Sequence, residues 1–246
     1  LVLGWLYSTG GLAGGPLVIT FFGLVTAAAW IIAARTGQAI WPIRLVTCAL
    51  SLWVALRFLG ARTQVVTLLG VAVVLLLLDR LRPGARWIIW IFPPLFLLWA
   101  NLHGGFTAGL FLLTVVVGLN GCVAIVSRAW PDLFRRFDEV HLPSALLRGL
   151  TLATGFAGLV ALLNPYGWRL HQEILDSLVN HFMVSTLQEW QPPSLETLAG
   201  RLFGVYLGGL TVAVVLWYRR LEPVRIGVLL AFLFVACRHL RNIPLF

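Results

Sequence analysis

The sequence predicts an all-α protein: a polytopic transmembrane bundle of about eight helices, with one amphipathic helix in an outer loop. Three observations carry that prediction. The 246 residues are 60% hydrophobic and only 11% charged, and the mean hydropathy is +0.93. Soluble domains average about 25% charged and 45–50% apolar residues. The apolar residues gather into runs approaching the ~17–25 needed to span a bilayer as a helix. The arginines gather between the runs, in loops whose basic content alternates along the chain.

Eight segments read as spans, taken in order. Leu17–Ala34 follows a glycine-rich loop, Gly10–Gly15, and ends at Arg35. Ile40–Leu59 carries Trp41 and Arg44 at its start, where both residue types sit well at an interface. Gln64–Leu78 is a run of Val and Leu closed by Asp79-Arg80. Trp87–Ala100 has 14 residues and contains Pro93-Pro94, so a full span and a re-entrant segment both remain open. Phe106–Val126 begins after Gly104-Gly105. Gly149–Leu163 stops at Asn164-Pro165, because the residue before a proline is pushed out of the helical region. Leu202–Trp217 and Gly227–Cys237 complete the set, each flanked by arginine. Leu1–Tyr7 reads as the tail of an earlier span or as an interfacial segment.

Two connections are long. Ser127–Arg148 reads either as an interfacial amphipathic helix or as a solvated loop. The stretch 164–201 is the largest outer loop. Within Trp168–Leu187, Leu170, Ile174, Leu175, Leu178, Val179 and Phe182 recur at helical spacing, and Gln172, Glu173, Asp176 and Asn180 take the other face. That pattern predicts the amphipathic helix, followed by a turn at Gln191-Pro192-Pro193-Ser194.

All 18 basic residues are arginine. Twelve fall in one set of loops (35, 44, 80, 82, 86, 128, 135, 136, 148, 219, 220, 225) and six in the other (57, 62, 169, 201, 238, 241). The positive-inside rule places the richer set in the cytoplasm of a bacterial inner-membrane protein. Five polar clusters then share the outer boundary: Arg62-Thr63-Gln64, Asn101-Leu102-His103, Asn164-Pro165-Tyr166-Gly167, Glu189-Trp190-Gln191 and Arg238-His239-Leu240-Arg241-Asn242. Charged and amide groups at helix ends inside a membrane protein are costly, so they mark a site or a pathway.

Each cluster has its own chemistry. Arg238 and Arg241 at the end of an apolar run suit a phosphate or diphosphate, because guanidinium pairs bidentately with such oxygens. Arg62 repeats the idea more weakly. His103 is a proton carrier or, when charged, a phosphate partner. Trp190 and Gln191, with Glu189, suit a polyhydroxyl ligand, whose C–H faces meet the indole and whose hydroxyls meet acid and amide. Glu189 also reads as a general base or as a ligand for a divalent metal. Asn101 belongs to the same boundary. Asn164-Pro165-Tyr166-Gly167 reads as a structural turn. The cysteines Cys48, Cys122 and Cys237 have no metal spacing and no paired pattern. No nucleotide loop, haem motif or zinc motif is present, no cofactor is evident, and the basic charge is loop charge, not a nucleic-acid surface.

The run Trp99-Ala100-Asn101-Leu102-His103-Gly104-Gly105-Phe106, the Asn164-Pro165-Tyr166-Gly167 turn, Glu189-Trp190-Gln191-Pro192-Pro193 and Arg238-His239-Leu240-Arg241-Asn242-Ile243-Pro244 resemble a group of bacterial multi-span proteins distantly similar to the GT-C glycosyltransferases. The resemblance runs from about Arg62 onward. It implies a transferase that takes a polyprenyl-phosphate-linked sugar on the extracytoplasmic face. It also implies a catalytic acid in the first outer loop, and the stretch before Leu17 holds no Asp or Glu. On this reading the 246 residues are one transmembrane domain of a longer chain, with the N-terminal span and the acid upstream of Leu1. Two alternatives stand beside it. One is a non-catalytic integral membrane subunit that packs against lipids and other membrane subunits. The other is a lipid or solute transporter, which would prefer polar groups at mid-membrane.

Overall fold

The computed structural model describes residues 14–36, 41–55, 63–130, 142–179, 181–217 and 222–246. All regular structure among them is helical. The chain forms α1 (Gly14–Ala34), α2 (Trp41–Ala55), α3 (Gln64–Arg80), a 3-10 segment (Pro83–Ile91) running into α4 (Phe92–Leu102), and α5 (Phe106–Ala129). There follow α6 (Ser144–Val160), α7 (Trp168–Val179), α8 (His181–Thr186), a 3-10 turn (Gln188–Trp190), α9 (Leu198–Trp217), α10 (Pro223–Arg238) and a closing 3-10 segment (Leu240–Leu245).

The eight apolar segments are helical over their described residues, except that Gly149–Leu163 leaves its helix after Val160. Among the described residues, four helical stretches are long and apolar enough to cross a membrane: Gly15–Ala34, Pro83–Leu102, Phe106–Ala129 and Leu198–Leu216. α2 and α6 are shorter apolar helices. The proline pair in Pro83–Leu102 has a simple resolution. Pro93 and Pro94 fall in the first turn of α4, where backbone N–H groups have no intrahelical acceptor to lose. The irregular point lies earlier, at Ala85 (φ −124°, ψ 29°).

The main core joins α3, α4, α5, α6 and α10. Phe92, Phe96, Phe106, Leu112, Leu113 and Leu150 are fully buried at its centre. α6 meets α4 along Ala153, Ala157 and Ala161, all at most 2% exposed. Small side chains at that spacing let two helix backbones approach closely, the usual device where no water drives helices together. α1 packs along α3 through Ala29, Leu68 and Ala72 by the same logic. The outward faces are apolar too: Ile19, Leu24, Leu152, Leu159, Val205 and Leu216 are all exposed. Contiguous apolar surface on that scale needs a non-aqueous cover.

The stretch after α6 differs in part from its expected form. Asn164 makes the predicted turn: its amide donates to the carbonyls of Ala161 and Gly167 and its Oδ1 accepts from the Tyr166 N–H. Gly167 takes φ +55°, a conformation that favours glycine. The single amphipathic helix is instead two, α7 and α8. α7 seats Leu170 and Ile174 on the main core, with Gln172, Glu173 and Asp176 exposed. Leu175 is 63% exposed and Phe182 69%, so neither belongs to the buried face. At 100° per residue Leu175 falls just outside the arc that holds Leu170, His171 and Ile174. The middle of the Ser127–Arg148 connection, residues 131–141, lies outside the described residues, and so does Arg62.

Candidate functional site: a polar pocket at the ends of three helices

α3, α5 and α10 present one set of ends to a common place. Gln64 opens α3, His103 and Gly104 precede α5, and Arg241 follows α10. The turn at Gln188–Trp190 comes in from the outer stretch. Between them is a cavity of about 290 Å³, lined by Gln64, Thr67, His103, Gly105, Ser177, Trp190, His239, Arg241 and Asn242 among others. That volume is at the lower end of the range of small-molecule pockets, about 300–1,000 Å³.

Backbone geometry builds the pocket wall. α10 ends at Arg238, and His239 turns extended (φ −147°, ψ 131°) before the closing 3-10 segment. The extended residue lets the chain lie beside the Gln188–Gln191 segment. The Leu240 N–H donates to the Gln191 carbonyl at 2.9 Å, and His239 Nδ1–H donates to the Trp190 carbonyl. Because that carbonyl can only accept, the ring proton is on Nδ1. The Asn242 amide donates to the Val235 carbonyl at 3.3 Å, so the wall folds back on its own helix.

Trp190 is the hub. It is 6% exposed, with the Arg241 guanidinium carbon 4.4 Å above its ring and the His239 ring edge-on at 5.4 Å. A guanidinium on an indole face gains both cation–π attraction and orientation. So little indole is left uncovered that Trp190 serves to aim Arg241 and offers no open platform to a sugar.

The floor is Thr67. It is 6% exposed, and its hydroxyl has no hydrogen-bond partner among the described residues. A buried hydroxyl left unpaired costs about 1–3 kcal/mol, so such groups are rare without a purpose. Opposite it, Gly105 allows the close approach: a Cβ there would fall 1.7 Å from Thr67 Oγ1. His103 is half-buried beside them. Burial, and secondarily the nearby Arg241 charge, hold its pKa below the ordinary histidine value.

Of the residues in the five polar clusters, six line this pocket: Gln64, His103, Trp190, His239, Arg241 and Asn242. The others stand apart. Arg238 is exposed on α10, its guanidinium 5.2 Å from the Phe234 ring. Asn101 ties helix ends together, donating to the carbonyls of Leu97 and Leu163 at 2.8 and 3.0 Å. Gln191 contributes its backbone carbonyl while its side chain is exposed. Glu189 is half-buried on the 3-10 turn, outside the pocket lining. No group of three or more His, Cys, Asp or Glu side chains among the described residues is arranged to hold a metal. Sequence reasoning passed over Thr67, because a threonine inside an apolar run reads as part of a span. It also passed over His171, half-buried and edge-on to Phe106 at 5.2 Å, whose buried Nδ1 has no partner among the described residues.

Comparison with protein-family models, with curated proteins and with solved structures finds no match to this chain.

Proposed function

We propose that the chain is the membrane-embedded part of a GT-C-like protein and that its polar pocket holds the phosphate of a polyprenyl-phosphate-linked sugar. The single observation carrying this reading is a convergence. His103, Trp190 and Arg241 come from distant parts of the chain and meet over an unpaired Thr67 hydroxyl. Arg241 brings a permanent charge in a planar fork, and Thr67 and His103 bring further polar groups. That set matches a phosphate ester better than a neutral ligand. The eight apolar helices cross the bilayer in this reading, with shorter ones completed by flanking Trp and Arg. The arginine split puts the pocket on the extracytoplasmic face of a bacterial inner membrane.

In a transfer, an acceptor hydroxyl would attack the anomeric carbon. The bond from that carbon to the phosphate oxygen would break, and the electron pair would pass to the phosphate. Arg241 would stabilise the leaving charge. The acceptor proton needs a base, and the pocket lining offers only His103 and His239 and no carboxylate. That absence among the described residues favours a second reading, a membrane subunit that binds the lipid-linked sugar without turning it over.

The test is binding and turnover of a polyprenyl-phosphate-linked sugar by the full-length protein in lipid nanodiscs. Binding that is lost in Arg241→Ala supports the site, and released polyprenyl phosphate supports the transferase over the subunit. No binding by the wild-type protein would end both.

A further inference from the structure

A second cavity lies between the Asp79 end of α3, the middle of α5 and the start of α10, and its charged groups are different. It measures about 540 Å³. Its walls are apolar, built from Leu75, Leu112, Val116, Val228 and Phe232. Among the described residues, its charged lining residues are Asp79 at the end of α3 and Glu222 and Arg225 at the start of α10.

These three charges form one cluster. Arg225 Nε is 2.7 Å from Glu222 Oε2, and Nη2 is 3.7 Å from Asp79 Oδ1. Two carboxylates around one guanidinium leave a formal charge of −1. The side chains are 22% (Asp79), 31% (Glu222) and 48% (Arg225) exposed, so a ligand can reach them. Asn120 also lines the cavity, but both ends of its amide are engaged, by the Val116 carbonyl and the Leu142 N–H. It is structural.

An apolar chamber with a mixed-charge mouth of net −1 calls for an amphiphile whose head carries both signs, with hydrogen-bonding cationic donors. We propose that this cavity binds a phospholipid with a primary-amine head group of the ethanolamine type. Its ammonium meets Asp79 and Glu222. Its phosphate takes N–H donors of Arg225, which has five in a fixed fork. One acyl chain enters the apolar chamber. An anionic glycerol head would compete for Arg225 and offer the two carboxylates no cation. A choline head carries the charge but has no N–H to donate. The selectivity therefore follows from head-group chemistry alone. The inference rests on membrane embedding and is independent of any ligand in the polar pocket.

The experiment uses the full chain, purified in detergent and mixed with equimolar ethanolamine, choline and glycerol phospholipids of identical acyl chains. Native mass spectrometry counts the lipids retained. The wild-type protein is expected to retain the ethanolamine lipid about tenfold over the other two, a preference of ~1.4 kcal/mol. The isosteric pair Asp79→Asn with Glu222→Gln is expected to erase the preference. Val228→Trp, which fills the chamber and leaves the charges, is expected to reduce retention of all three. Arg241→Ala, at the far end, is expected to leave retention unchanged while weakening polyprenyl-phosphate sugar binding. Equal retention of the three lipids by the wild type, or an unchanged preference in the Asp79/Glu222 variant, would overturn the proposal.

Discussion

The same three helices, α3, α5 and α10, line two cavities whose charged groups differ in sign. At the Gln64 end the pocket is small, and its lining includes two imidazoles and a guanidinium and no carboxylate. At the Asp79 end the cavity is nearly twice as large, its lining is no more apolar, and among the described lining residues acids outnumber bases two to one. The contrast also separates what holds the fold from what could bind. Between the two ends the helices carry Phe, Leu, Val and Ala in a dry core. Leu245 lines both cavities, so one side chain of the closing 3-10 segment divides them.

The contrast breaks most readily at Gly105. A methyl group there would overlap Thr67 Oγ1, and α3 and α5 would have to separate. Gly105→Ala is expected to destabilise by about 1–3 kcal/mol, the usual cost of overpacking, and to abolish binding in the polar pocket. A thermal-melting shift without loss of the ethanolamine-lipid preference would show the damage confined to one end. A melting temperature equal to wild type would mean the close contact is not real.

The next effect in size is the pocket charge. Arg241→Ala should weaken polyprenyl-phosphate sugar binding about ten- to a hundredfold, since charge-assisted hydrogen bonds contribute ~1.5–3 kcal/mol. Arg241→Lys should restore only part, because an ammonium lacks the fork that also lies on Trp190. Arg238→Ala should change little, because Arg238 is exposed beside Phe234. Equal losses at 238 and 241, measured by titration calorimetry in nanodiscs, would put the phosphate elsewhere.

That pair of arginines shows where sequence reading reached and where it stopped. The chain announced a basic cluster after an apolar run. It did not announce that the helix would end at Arg238 and that His239 would turn extended. That turn sends one arginine to the outer surface and the other onto an indole. A helix end set by a partner strand of backbone, here the Gln191 carbonyl taking the Leu240 N–H, has no local signature. The helices themselves were legible because long apolar runs have few alternatives in a membrane. Asn101 looked functional and proved to be a tether, since an amide at a helix end serves either purpose with the same residue type. Asp79, Glu222 and Arg225 lie over 140 residues apart in part and read as ordinary loop charges until the fold joins α3 to α10.

A smaller effect distinguishes a floor that binds from one that only packs. Thr67→Val removes the hydroxyl and keeps the shape. Relieving an unpaired buried hydroxyl should raise the stability of the ligand-free protein by about 1 kcal/mol. If the hydroxyl meets the ligand, affinity should fall about fivefold, equivalent to ~1 kcal/mol. Stability up and affinity down in the same variant is the expected signature. Stability up with affinity unchanged would make Thr67 a packing residue.

The smallest effect expected is a pH dependence at His103, and its sign differs between folding and binding. Burial, then Arg241, hold the folded His103 pKa below its ordinary value. The unfolded chain therefore takes up a proton in the ordinary histidine range, where the folded chain does not. Stability from this group is complete above that range and declines as pH falls through it toward the depressed folded value. A bound phosphate reverses the balance, because an opposite charge beside the ring favours its protonated form. Binding then takes up a proton, and affinity should rise as pH falls, by at most about tenfold per pH unit for a single group. His103→Gln should flatten the acid decline in melting temperature and reduce the slope of affinity against pH. If His103→Gln leaves both slopes as they are in the wild type, His103 faces no anion, and Arg241 with Thr67 carries the pocket alone.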